Sequence, residues 1–189
     1  KYALFGNLVD LSTKQSITEK RTQELSKVDF SKLPLDLAIK QVNGDGSRKI
    51  AVFTDPDCPY CKMFEKQVVP NLKDVTVYSF IFPLPIHPNA ANDAKKIWCS
   101  KDRATTWANW MQKDTPLPTD MSCDTSALDK VMAIGKDVVG VEGTPTIIFE
   151  DGELMPGMLP ADQLNAKLDQ LSGKAPAVSA SAPVASAAN

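Results

Sequence analysis

The chain is short of the residues that would mark it for several large classes of function. It has one histidine, His87, and only one closely spaced pair of cysteines, Cys58 and Cys61. Protein zinc sites use four ligands, commonly in two close pairs, and iron–sulfur clusters need four clustered thiolates. Neither set is present, so no metal and no cofactor is expected. No apolar run approaches the roughly 20 residues that cross a bilayer. A formal charge of −2, with 21 Lys and Arg scattered along the chain, leaves no basic face for nucleic acid. Lys1 to Asn7 lacks the apolar core of a signal peptide, which fits a processed chain as well as a cytosolic one. What remains is an ordinary globular profile: 189 residues, 43% hydrophobic and 23% charged, enough for one moderate domain with appendages.

The hydrophobic pattern orders the chain. Lys1 to Val9 reads as a short strand with a turn near Asn7 or Ser12-Thr13; too short to stand alone, it is expected to belong to a larger structure. Ser16-Ile17-Thr18-Glu19 has the form of a capping box and predicts a helix to about Val28, polar on most of its surface, as a linker would be. Pro34 to Val42 is expected to be a short helix ended by the loop signal Asn43-Gly44-Asp45-Gly46. Ile50 to Phe53 is a fully apolar strand, Pro59 opens a helix with Met63, Phe64, Val68 and Leu72 on one face, and Val75 to Phe82 is a second strand. Together they form a βαβ unit with parallel strands. Residues 89–139 read as helical throughout, with stripes at Ala90, Ala94, Ile97 and Trp98, at Trp107, Trp110 and Met111, and at Leu128, Val131, Met132 and Val139. A hairpin follows, Thr146 to Phe149 and Glu153 to Met155 about Asp151-Gly152, and then a helix marked by Leu164, Leu168 and Leu171 that stops at Gly173. Residues 174–189 are almost purely Ala, Ser, Pro and Val, too poor in apolar bulk to offset their ordering entropy, and are expected to be disordered.

The Cys58-Pro59-Tyr60-Cys61 motif is the chemical centre of this plan. Cys58 falls at a strand-to-helix junction with Pro59 at the first helical position, where its missing N–H costs nothing. A helix N-terminus points unpaired N–H groups and partial positive charge at a sulfur placed there, and so favours the nucleophilic thiolate. Cys58 is therefore read as the attacking sulfur and Cys61, one turn further in and more buried, as the resolving one. Gly143-Thr144-Pro145-Thr146 stands where a cis-proline loop would face the dithiol, leaving backbone groups to pair with an extended client segment. The separated Cys99 and Cys123 have two open readings, buried free thiols or a structural disulfide of an oxidising compartment.

These stretches together resemble the DsbC/DsbG-type periplasmic disulfide isomerases of the thioredoxin superfamily. The match runs through Ala51 to Lys62 (AVFTDPDCPYCK), Ile97 to Asp102 (IWCSKD), Ser122-Cys123-Asp124, Gly143 to Thr146 (GTPT) and Leu154 to Gly157 (LMPG). The resemblance implies an α/β thioredoxin fold over residues 31–173 with a helical insertion at 89–139. It implies a linker helix at 16–30 and, in residues 1–15, the last part of an N-terminal dimerisation domain. It also implies a Cys99–Cys123 disulfide, worth roughly 3 kcal/mol by loop entropy, and client contacts from Thr144 and Pro145. The implied partners are mis-oxidised or misfolded secreted proteins, a membrane-bound DsbD-like thiol reductase, and a second copy of the chain where the dimerisation domain is complete. Two departures stand out. Val52 occupies the place of the buried Asp of thioredoxins, and the Pro-Tyr dipeptide resembles DsbG and glutaredoxins, whereas Thr144 and the second cysteine pair resemble DsbC. A DsbA-like dithiol oxidase, a DsbG-like protector of single cysteines and a redox-independent chaperone stay as alternatives.

Other residues carry quieter expectations. Tyr60, between the cysteines, is read as exposed and in contact with client. His87, in Pro83 to Pro88, is read as a solvated loop residue, and Trp98, Trp107 and Trp110 as core or cap. Asp55 and Asp57 are read as turn formers, with Asp55 in place to tune the Cys61 thiol.

Overall fold

A computed structural model of the chain describes residues 6–173. Most of the strand expected from Lys1, and the 174–189 tail, lie outside the described residues. The first elements are a two-stranded antiparallel hairpin, Val9–Asp10 (β1) with Gln15–Ser16 (β2). The reversal is therefore at Ser12-Thr13, and Lys14 takes the left-handed conformation there (φ 56°). Helix Ile17–Leu25 (α1) starts as the capping signal says: the Ser16 hydroxyl accepts the Glu19 N–H at 3.1 Å. Ile17 and Leu25 are 46% and 70% exposed, so this helix buries little. The segment after it is tied down at the far hairpin, where Val28 N–H donates to Gly152 O at 2.9 Å and Lys27 pairs with Asp151 at 3.0 Å.

The helix expected over Pro34 to Val42 is not formed. Two single 3-10 turns, Phe30–Lys32 and Leu35–Leu37, lead instead into a strand, Ile39–Asn43 (β3). Ile39 is buried and Val42 is 53% exposed, the period-two pattern of a strand rather than a helical stripe. The decisive term is tertiary: Ile39 to Asn43 pair residue for residue with a neighbouring strand, a gain that local propensity does not contain. Asn43-Gly44-Asp45-Gly46 makes the expected loop, and Gly44 suits it, since its backbone is left-handed (φ 60°) and a Cβ on it would crowd the Asp74 backbone at 3.0 Å.

The middle of the sheet follows the apolar runs. Arg48–Thr54 (β4) leads through the helix Pro59–Met63 (α2) to Val75–Ile81 (β5), and the two strands are parallel with Val52 opposite Ser79 and Thr54 opposite Ile81. α2 runs on without a break as a π-helical stretch, Phe64–Val68, and a 3-10 turn, Val69–Asn71. The insertion after β5 contains Ala90–Trp98 (α3), Arg103–Lys113 (α4) and Ser126–Ala133 (α5), the last extended by π-helical Ile134–Val139. It is not helical throughout: α4 ends at a left-handed Asp114 (φ 52°), and residues 114–125, with Pro116 and Pro118, form a loop because proline cannot continue a helix. Thr146–Phe149 (β6) and Leu154–Pro156 (β7) form the closing hairpin, and Ala161–Leu171 (α6) packs Leu164 and Leu168 beneath the sheet.

The sheet order is β3-β5-β4-β6-β7, the α/β thioredoxin fold with a helical insertion. One side is filled by Ile50, Val52, Phe64, Val68, Val77 and Leu164, the other by Phe53, Phe80, Phe82 and Val131. A third cluster matters most for the site. It joins Cys58 and Cys61 to Ile97, Trp98, Trp107 and Met111 of the insertion, so the insertion is the wall behind the dithiol. Buried Arg48 locks β4 to α6, bonding Asp169 at 2.6 Å, Asn165 and the Lys73 carbonyl.

Candidate functional site

Cys58 is the N-cap residue of α2, held in extended conformation (φ −74°, ψ 123°) with Pro59 at the first helical position. It is 4% exposed and Cys61 is fully buried. The Cys58 sulfur lies 3.5 Å from the Thr144 carbonyl oxygen, across from the cis Thr144–Pro145 peptide. Cys61 Sγ instead accepts the Asp55 backbone N–H at 3.4 Å. The structure thus brings Cys58, Cys61, Thr144 and Pro145 together at one end of the sheet. Tyr60 projects from it, 65% exposed.

The two sulfurs sit in opposite electrostatic environments. Hydrogen bonding from the Cys61 thiol, with help from backbone N–H groups at the helix start and from Thr144, pulls the Cys58 thiol down to about 5. Burial pushes the Cys61 thiol strongly upward, and the neighbouring Cys58 sulfur adds to the rise. At neutral pH this makes one thiolate and one thiol, the arrangement a nucleophile and its resolving partner require. Of the carbonyls of the facing loop, Pro145 C=O accepts Gly157 N–H at 2.7 Å, while Thr144 C=O accepts from Cys58 only when that sulfur carries its proton.

The surrounding loop is tied more firmly than the sequence suggests. The Asp55 carboxylate is fully buried and accepts three donors: Asp57 N–H at 2.7 Å, Leu84 N–H at 2.6 Å and His87 Nδ1 at 2.8 Å. His87 is thus no solvated loop residue. Asp55 raises its pKa first of all, and negative charge at Asp55, Cys58 and Asp57 adds to the effect. Asp55 does act on Cys61, through the backbone N–H that the sulfur accepts. From the insertion, Trp110 Nε1 grips the Pro56 carbonyl at 2.7 Å while the Lys62 ammonium sits over the Trp110 ring at 4.0 Å.

Glu65 is the residue the sequence reading passed over. The buried face of the helix is Cys61, Phe64, Glu65 and Val68, at i, i+3, i+4 and i+7, whereas Met63 is 40% exposed. Cys61 itself fixes the register of that stripe, and counting from it puts Glu65 inside. An apolar search skips the position because it holds a charge.

Cys99 and Cys123 form a disulfide with Cα atoms 5.4 Å apart, pinning the 114–125 loop to the end of α3. Beside it, the Arg103 guanidinium stacks on Trp98 at 3.7 Å, and its Nε donates to the Trp98 carbonyl. Among the described residues no cluster of three His, Cys, Asp or Glu side chains has metal-binding geometry, and no helix is long and apolar enough to cross a membrane.

A free dithiol at a strand-to-helix junction, the first sulfur against a cis-proline loop, defines the class of thioredoxin-fold dithiol proteins. A family model for a thioredoxin-like domain matches residues 35–172. The chain is 41% identical over 167 residues to the probable thiol:disulfide interchange protein DsbC of Bordetella pertussis, covering 88% of this chain and 58% of that protein. It is 30% identical to DsbC of Dickeya dadantii, covering 89% of this chain and 68% of that one. The crystal structure of a disulfide interchange protein from Neisseria gonorrhoeae superposes with a TM-score of 0.67 at 41% identity, over 73% of this chain and 97% of that one. The chain belongs to the thioredoxin-like family, within its DsbC-type thiol:disulfide interchange proteins. It spans a little over half the length of the Bordetella relative.

Proposed function

We propose that this chain is the exchange module of a thiol:disulfide interchange protein that isomerises or reduces incorrect disulfides in client proteins. The observation that carries the proposal is the contrast within the dithiol: Cys58 with its thiol drawn down to about 5 at a helix start, Cys61 buried with its thiol held up. The Cys58 thiolate attacks one sulfur of a wrong disulfide; a Cys58–client bond forms and the second client sulfur leaves as a thiolate. A client thiolate then displaces Cys58, completing isomerisation, or Cys61 displaces the client and leaves it reduced. Thr144, Pro145 and exposed Tyr60 surround the sulfur at which the client arrives, which supports their roles in client binding.

The cycle needs reduced Cys58 and Cys61, so it implies a thiol reductase partner, membrane-bound by resemblance to the family. The periplasm supplies mis-oxidised secreted proteins as clients, and a homodimer is the assembly proposed where the dimerisation domain is complete. The Cys99–Cys123 bond supports an oxidising compartment. The experiment is recovery of activity from a scrambled multi-disulfide client: the reduced chain restores native pairing and Cys58→Ser does not. Full retention by Cys58→Ser would end the proposal.

One observation favours a second reading. A thiolate as stable as that of Cys58 favours the reduced dithiol, and such a centre is a strong oxidant. A DsbA-like oxidase would therefore show a reduction potential near about −120 mV and oxidise reduced clients at least as fast as it shuffles scrambled ones.

A further inference from the structure

Release of a client by Cys61 requires Cys61 to lose a proton, yet its burial holds that proton tightly. Asp55, the buried acid of the loop before the dithiol, is spent: Asp57, Leu84 and His87 occupy its carboxylate, and its backbone N–H donates to the Cys61 sulfur. A second buried acid behind the dithiol is Glu65, 1% exposed and one helical turn after Cys61 on the same inward stripe. Trp107 Nε1 donates to its Oε1 at 2.7 Å, and Gln41 Nε2 at 3.3 Å and Gln112 Nε2 at 3.5 Å approach its Oε2. The groups that face it, Gln41 from β3, Ser79 from β5 and Trp107 and Gln112 from α4, are all neutral, and burial among them raises its pKa. A carboxyl so raised lies closer to a thiol in proton affinity than an exposed one does.

Two buried hydroxyls stand near the pair, one by the sulfur and one by the carboxylate. Val52 pairs with Ser79 and Thr54 with Ile81, so Thr54 and Ser79 are diagonal neighbours on the sheet face that α2 covers. The Thr54 hydroxyl lies near enough to Cys61 to favour its thiolate, and the Ser79 hydroxyl near enough to Glu65 to favour its carboxylate. Thr54 is 1% exposed and Ser79 0%, and among the described residues Thr54 Oγ1, Ser79 Oγ and Gln41 Oε1 are buried without a hydrogen-bond partner of ordinary geometry. Buried hydroxyls normally find partners, and each can both accept and donate a proton.

We propose that Glu65 is the proton acceptor for Cys61, reached through the Thr54 and Ser79 hydroxyls. As the Cys61 sulfur attacks the Cys58 sulfur of a mixed disulfide, its proton passes to the Glu65 carboxylate. The Cys58–Cys61 bond forms, the Cys58–client bond breaks, and the client leaves as a thiolate with the bonding electrons. The inference rests on Cys58 and Cys61 being the exchanging pair.

The test uses the reduced chain and an aromatic disulfide, dithiobis(nitrobenzoate), which releases one coloured thiolate when Cys58 attacks and a second when Cys61 resolves the adduct. In Glu65→Gln, which keeps an oxygen for Trp107, the first release is expected at the wild-type rate. The second is expected to slow about 100-fold at neutral pH, the low end of general-base effects. It should recover as pH rises and hydroxide takes the proton, which a merely structural lesion would not show. Thr54→Val, which leaves Glu65 in place, should slow the same release and carries the test alone if Glu65→Gln does not fold. Second-phase rates within twofold of wild type in the folded variants would overturn the proposal. A wild-type chain that shows neither release would instead overturn the exchange reading itself.

Discussion

The two cysteine pairs of this chain use the same atoms for opposite purposes. Cys99 and Cys123 are closed on each other between the end of α3 and a proline-containing loop, and they hold that loop in place. Cys58 and Cys61 stay open, and their surroundings keep their sulfurs unlike: a helix start and the Cys61 thiol for one, burial and a backbone donor for the other. A disulfide is structural where its reduction is unfavourable and it only ties two segments together. It becomes reactive where the fold makes one sulfur a stable thiolate and the other a reluctant acid.

The largest effects should separate the pairs completely. Cys58→Ser should reduce exchange with a scrambled client to background, and Cys61→Ser should leave attack intact while client adducts accumulate on Cys58, visible as a mass increase. Replacing Cys99 and Cys123 together by Ser should do the reverse. Stability should fall by roughly 3 kcal/mol, a melting shift of about 6–12 °C for a chain of this size, while the alkylation rate of Cys58 stays within twofold. A double variant that lost Cys58 reactivity without unfolding would show the two pairs to be coupled, against this account.

The Cys58 side of the comparison was legible because chemistry is local in it: the motif, Pro59 and a βαβ pattern fix a sulfur at a helix start. The sheet centre was legible for the same reason, through the continuous apolar runs Ile50 to Phe53 and Val75 to Phe82. What the sequence hid is what distant segments decide. Ile39 to Asn43 became a strand because β5 offered it an edge. His87 looked idle until the fold set it against Asp55, 32 residues away. Glu65 carried no expectation until Trp107 of the insertion was packed over it.

Smaller changes sharpen the comparison within the reactive pair. Trp107→Phe removes the N–H that holds Glu65 Oε1 and should cost about 1–3 kcal/mol, measured by denaturant unfolding, because the carboxylate keeps its burial and loses its best partner. His87→Gln should have the least effect. The His87 pKa is raised, so where Cys58 ionises the ring is protonated and its positive charge favours the thiolate. Removing it should move Cys58 ionisation upward by about half a unit or less. The difference should vanish once pH exceeds the His87 pKa; a downward shift would contradict that sign.

The most direct test of the central contrast is the pH dependence of alkylation at each sulfur of the reduced chain, read by mass spectrometry of the separately labelled peptides. The Cys58 rate should rise with pH, reach half its plateau near pH 5 and stay flat through neutrality. Cys61 should remain unlabelled over the same range. Half-ionisation of Cys58 near 9, or labelling of Cys61 first, would contradict the account.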